Sequence, residues 1–139
     1  MATLRSDRLA QLRSAMEERR VEALWIEPSV GFRYLASLEP LSFERLTGLL
    51  VPRRGDLRAL APEMAAEEFE PLGIETVTWN DSEGPSAAAA RVLAGVRSLH
   101  IQGSLPAWAW DVLATASPGT SIAVDPGTLA GVREVKDDD

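Results

Sequence analysis

At 139 residues, with 45% apolar and 25% charged side chains, the chain has the composition of one soluble globular domain able to bury a core. A net charge of −7, with Lys136 the single lysine, argues against nucleic acid as a partner, because phosphate neutralisation needs clustered cations. The lack of cysteine removes disulfides, thiol catalysis and thiolate metal sites, and no apolar run approaches the roughly 18 residues of a membrane span.

The opening Met-Ala-Thr-Leu-Arg-Ser-Asp-Arg has neither the apolar core nor the cleavage site of a signal peptide, so a cytoplasmic location is expected. From about Thr3 to Arg19, Leu9, Leu12 and Met16 recur at helical spacing and predict an amphipathic helix. Val21–Ile26 contains the unbroken apolar run Ala23-Leu24-Trp25-Ile26, which suits a strand covered on both faces. Pro28 and Gly31 end it, and Phe32–Leu35 can form a short helix leading to a loop at 38–45.

Leu46–Val51 and Leu57–Ala61 read as the two strands of a β-hairpin turned by Arg53-Arg54-Gly55-Asp56. Met64–Leu72 predicts a helix with Ala65, Phe69 and Leu72 on one side, ended by Gly73 as a left-handed terminator. In Ile74–Trp79, Glu75, Val77 and Trp79 alternate with Ile74, Thr76 and Thr78, the pattern of a strand. Asn80–Pro85 is a polar loop, and Pro85 opens an Ala-rich helix that ends near Gly95.

A strand at Leu99–Gln102 precedes a helix from about Pro106 to Ala116, where Leu105, Trp108 and Val112 form the main apolar stripe beside Ala109, Leu113 and Ala116. Ile122–Val124 is a last short strand. Asp125-Pro126 then supplies an N-cap and the residue best tolerated at the first helical position, for a helix carrying Leu129, Val132 and Val135. This order predicts an α/β fold with helices flanking a mixed sheet of about six strands.

Residues capable of chemistry are scarce. His100 is the single histidine, and alternation places it opposite Leu99 and Ile101, so a strand histidine facing solvent or hydrogen-bonded locally is expected. No glycine pattern makes a phosphate loop. Glu63, Glu67, Glu68 and Glu70 read as the solvated face of one helix, and Asp137–Asp139 equally as a frayed acidic end or as a boundary within a longer chain. Trp25, Trp79 and Trp108 fall on core positions by periodicity. Trp110 lies off its helix's main stripe, at an interface or at the edge of the core.

The stretch 29–52 stands apart, because it sets an exposed Phe-Glu-Arg loop directly before an apolar strand. A planar guanidinium recognises a carboxylate bidentately, and an adjacent aromatic ring excludes water from the contact. Arg45 with Phe43 is therefore the constellation best suited to binding. A surface arginine paired with Glu44 or Glu39 reads equally well.

Several segments together resemble a known family: Arg8-Leu9 with Leu12-Arg13 and Met16, Val21–Ser29, Phe32-Arg-Tyr-Leu35, and Arg45-Leu-Thr-Gly-Leu-Leu-Val-Pro52. They look like the N-terminal domain of the creatinase/prolidase/aminopeptidase P group of M24-type metallopeptidases. Leu129–Asp137 is similar to the segment leading into that family's catalytic domain. Two positions depart from the usual pattern: Arg20 stands where glycine is common, and Ala36-Ser37 stands where Thr-Gly is usual.

The resemblance implies a ribonuclease-H-like α/β domain over residues 1–136, with 137–139 an acidic tail or the start of a catalytic domain. It implies a non-catalytic domain of an Xaa-Pro dipeptidase or aminopeptidase P-like enzyme that supports homodimerisation and shapes the neighbouring subunit's substrate entrance. Phe43 and Arg45 match the loop residues that face the partner's substrate. The parent would act on proline-containing peptides through two divalent metal ions held in its catalytic domain, with no cofactor or metal in this chain. The alternative is a free-standing dimerisation or peptide-binding module derived from that domain.

Overall fold

The computed structural model describes residues 3–38, 40 and 44–134. Helix α1 (Ser6–Arg19) leads into strand β1 (Ala23–Ile26) and helix α2 (Val30–Ala36). The hairpin strands β2 (Gly48–Pro52) and β3 (Arg58–Pro62) follow, then α3 (Ala66–Phe69) between two single 3-10 turns. Strand β4 (Glu75–Trp79), α4 (Ser86–Val92), β5 (Ser98–Ile101), α5 (Ala107–Ala116), β6 (Ser121–Val124) and α6 (Thr128–Glu134) complete the chain. The six strands form one mixed sheet in the order β4-β3-β2-β1-β5-β6. Strand β2 runs antiparallel to both its neighbours, and the remaining pairings are parallel.

Both faces of the sheet are covered, which explains the unbroken apolar run of β1. Leu24 and Ile26 join Leu12, Met16, Phe32, Leu49, Phe69 and Leu129 under α1, α2, α3 and α6. Ala23 and Trp25 join Leu50, Leu60, Trp79, Val92, Leu99 and Leu113 under α4 and α5. All four residues of β1 are buried, as expected for a strand between two helical layers. Phe32 and Phe69 meet edge-on at 5.9 Å between ring centroids and fix α2 against the segment after β3.

The hairpin forms as its turn residues predict, with Gly55 at φ +108 in a conformation that favours glycine. Arg13 reaches from α1 to donate to the Pro52 and Gly55 carbonyls across that turn. The segment after β3 buries Ala65, Phe69 and Leu72 and ends on left-handed Gly73 at φ +67. It is not one helix. Pro71 has no N–H to give, and the last turn tightens to a 3-10 helix.

Two further expectations are corrected. Helix α5 buries Ala109 and Leu113, whereas Trp108 is 42% exposed and Trp110 is the tryptophan packed against the core. Its neighbour α4 buries Ala88, Ala89 and Val92 in the same core cluster as Ala109 and Leu113. At the end of the chain, Pro126 is not the first helical residue. Gly127 intervenes at φ +94, α6 starts at Thr128, and Asp125 caps it by accepting from the Leu129 amide at 3.3 Å. Val135, Lys136 and the tail 137–139 lie outside the described residues.

Helix α1 ends at Arg20 in the left-handed region, φ 57 and ψ 41. The Arg20 and Val21 amides donate back to Glu17 and Met16 at 3.3 and 2.9 Å, a Schellman closure with Val21 and Met16 both buried. An arginine thus does what glycine does without a Cβ clash. Arg20→Gly is expected to raise unfolding stability by about 1 kcal/mol, read from the urea midpoint.

Candidate functional site

The strand directions bring one set of chain ends together. The carboxyl ends of β1, β3, β4, β5 and β6 meet the start of β2 at a single edge of the sheet. The loop before β2 carries Arg45 to that edge, and the turn after β4 carries Asp81. Arg45 Nε lies 3.2 Å from Asp81 Oδ1, and Arg45 Nη2 lies 2.9 Å from Asp81 Oδ2, a side-on bidentate pair. Hydrogen bonds from Arg45 hold the Asp81 carboxyl below the usual carboxylate value, against the desolvation that opposes them. The ionised carboxylate, and with it the pair, is therefore intact at neutral pH and is lost only as pH falls below that range.

The backbone on both sides of this pair is restrained. Glu44 adopts a left-handed φ of 64, and Thr47 Oγ1 donates to the Arg45 carbonyl at 3.0 Å. Trp79, at the end of β4, donates from Nε1 to the Leu46 carbonyl at 2.9 Å in a buried bond. On the opposite side, Asn80 Oδ1 accepts from the Glu83 amide at 2.9 Å and the Gly84 amide returns to the Asn80 carbonyl at 2.8 Å, closing the turn that presents Asp81.

Arg45 is thus on the surface and paired with Asp81, and not with the adjacent Glu44. Glu39 and Phe43 lie outside the described residues. Asp81 is the residue that sequence reasoning missed. The turn that holds it shows only polarity in the sequence, and it is the parallel pairing of β4 with β3 that delivers it to this edge.

Beside Arg45 a small groove runs between Glu27, Pro28, Leu46, Leu105 and Trp108. The large apolar residues exposed at this end of the sheet are Val30 (54%), Met64 (69%), Trp108 (42%) and Val124 (55%). At the opposite end, a concavity of about 270 Å³ opens among Glu22, Arg53, Arg54, Arg58 and Gly95. Its guanidiniums are committed elsewhere: Arg53 and Arg54 to Glu17, and Arg58 to the carbonyls of Arg91, Val92 and Ala94 at the end of α4. That arrangement is a helix terminus held by a cation.

His100 lies on the opposite sheet face from Leu99 and Ile101, as alternation predicts. It is half-buried rather than solvent-facing, and its shielded Nδ1 finds no hydrogen-bond partner among the described residues. Glu63, Glu67, Glu68 and Glu70 are exposed. Among the described residues no group of three or more His, Asp or Glu comes together in a way that could hold a metal ion. No helix among them is long and apolar enough to cross a membrane.

No family model matches the chain. The probable dipeptidase PepE of Mycobacterium tuberculosis and that of Mycobacterium bovis are each 31% identical to it over 110 residues, covering 72% of this chain. The chain spans 28% of the length of these curated relatives. Among solved structures, prolidase from Thermococcus sibiricus superposes with a TM-score of 0.85 at 26% identity, over 95% of this chain and 37% of that one. Dipeptidase PepE from Mycobacterium ulcerans gives 0.82 at 28% identity, over 96% and 37%. The creatinase/prolidase N-terminal domain of an X-Pro dipeptidase from Streptococcus pyogenes shares the fold, with a TM-score of 0.79 at 18% identity over 91% of this chain and 99% of that one.

The chain is a creatinase/prolidase-type N-terminal domain. In this creatinase/prolidase domain, both departures from the usual glycine pattern keep the left-handed turn that glycine would make. Arg20 does so at the end of α1 and Ser37, at φ 52 and ψ 32, at the end of α2. The Ser37 amide still closes onto the Arg33 carbonyl at 2.9 Å. The chain therefore leaves α2 through a left-handed residue even though Ala36-Ser37 replaces Thr-Gly.

Proposed function

We propose that this domain is the non-catalytic part of an Xaa-Pro dipeptidase or aminopeptidase P-like metallopeptidase, supporting a homodimer and shaping the substrate entrance of the neighbouring subunit. The observation that carries the reading is one of extent. The same fold fills 37% of the Thermococcus prolidase and 99% of the isolated Streptococcus N-terminal domain. The ligands for two divalent metal ions would then belong to the catalytic remainder, where metal-activated water would attack the amide bond before proline.

On this reading Arg45, with Phe43, faces a substrate carboxylate in the partner's site. A guanidinium carried to the rim of a groove of mixed character, with Glu27 and Thr47 beside Leu46, Leu105 and Trp108, is chemically suited to that task. The apolar side chains exposed at the same edge suit contact with a second subunit. In the enzyme that joins this domain to its catalytic half, Arg45→Ala is expected to raise KM for a proline-containing dipeptide by about tenfold with kcat little changed. Unaltered kinetics would remove the assignment. A reading frame ending at Asp139 would instead favour a free-standing dimerisation or peptide-binding module.

A further inference from the structure

We infer that Asp81 is the positioning residue for Arg45: it grips one edge of the guanidinium so that the other edge is presented to a ligand carboxylate. The inference rests on the reading of Arg45 as substrate-facing and adds to it the residue that aims the charge.

The geometry separates two roles on a single side chain. A guanidinium has five N–H donors in a planar fork. Asp81 takes the side-on edge, through Nε at 3.2 Å and one N–H of Nη2 at 2.9 Å. No described residue takes the end-on edge, formed by Nη1 and the second N–H of Nη2. Among the described residues Arg45 makes no other hydrogen bond or ion pair. Planar forks accept a second carboxylate on that edge without releasing the first. Asp81 is thus an anchor and not a competitor.

Both ends of the anchor are built into the backbone. The turn 80–84 is closed by the Asn80 side chain and by the Gly84 amide. A second bond, from Asn80 Nδ2 to Glu63 Oε1 at 3.3 Å, ties that turn to the segment after β3. The Arg45 side chain is 30% exposed and that of Asp81 66%, so the arginine is the more covered member of the pair. An unanchored arginine would sample many rotamers, and freezing them on binding would cost affinity. Holding the guanidinium beforehand removes that cost from the binding step, which appears in KM and not in the chemical step.

The test compares Arg45→Ala, Asp81→Ala and Asp81→Asn in the enzyme that carries this domain with its catalytic half, using a proline-terminated dipeptide as the probe. Asp81→Ala is expected to raise KM about fivefold with kcat within about twofold, Asp81→Asn to fall between it and wild type, and the double variant to be no worse than Arg45→Ala alone. If Arg45→Ala leaves KM unchanged, the functional reading itself fails. If Arg45→Ala raises KM while Asp81→Ala leaves it unchanged or lowers it, that reading stands and the positioning role is overturned. A second measurement needs only the 139-residue chain: ¹⁵N relaxation of the Arg45 Nε–H should show an ordered group that becomes mobile in Asp81→Ala. An Nε–H that stays ordered without Asp81 also overturns the inference.

Discussion

Replacing Gly48 with alanine is expected to destabilise the domain by about 3 kcal/mol or more, a loss typical of forcing atoms into a filled core. A Cβ at this position would sit 2.3 Å from Trp25 Cζ2 and 2.4 Å from Cε2. Neither side can yield cheaply. Trp25 is fully buried, packed among Leu50, Leu60 and Val92, so its ring has no free volume to swing into. Gly48 lies in β2, paired with Leu60 across the hairpin, and moving its backbone would open the ladder to β3. Urea unfolding of Gly48→Ala against wild type measures the loss. Gly119→Ala, where nothing lies within 4 Å, serves as the control and should stay within about 0.5 kcal/mol. A Gly48→Ala change as small as the control's would mean that the indole has room to move.

Gly48 also shows what could be read from the chain and what could not. Leu46–Val51 was legible as an apolar strand of a hairpin, and the observed strand is Gly48–Pro52. The reason for its glycine lies in Trp25, which meets it only once β1 and β2 pair. The same holds on helices. Periodicity groups residues onto stripes, but two adjacent stripes of α5 were both apolar. The choice of Ala109–Leu113 over Trp108–Val112 was made by the alanines on α4 that it faces. The Asp125-Pro126 pair signalled a helix start correctly in kind, while Gly127 displaced the first turn by two residues.

The site was half legible for a similar reason. Arg45 stood out from its own neighbourhood as a cation beside an apolar strand, although a surface ion pair with Glu44 or Glu39 read equally well. Its partner is 36 residues away, in a turn whose sequence shows only polarity. What brings Asp81 to Arg45 is the parallel pairing of β3 with β4, which sets the turn after β4 at the edge where the chain enters β2. Local sequence carries the donor, and sheet topology carries the acceptor.

That topology makes Trp79 the residue through which the fold and the site are coupled. It is 6% exposed, packs on the sheet face beneath α4, and donates from Nε1 to the Leu46 carbonyl at 2.9 Å. Trp79→Ala is expected to cost about 3–5 kcal/mol, the range for emptying a buried aromatic site. Trp79→Phe isolates the polar part of that cost: most of the ring packing survives, but a buried carbonyl loses its donor, for about 1–3 kcal/mol. Its effect should extend beyond stability, because Leu46 adjoins Arg45 and Trp79 lies two residues before Asp81. One strand end therefore holds the arginine loop twice, once through its backbone and once through the guanidinium. Urea unfolding measures the first effect, and the order of the Arg45 Nε–H measures the second. If Trp79→Phe lowers stability yet leaves the Arg45 Nε–H as ordered as in wild type, the backbone hold is dispensable and Asp81 alone aims the charge.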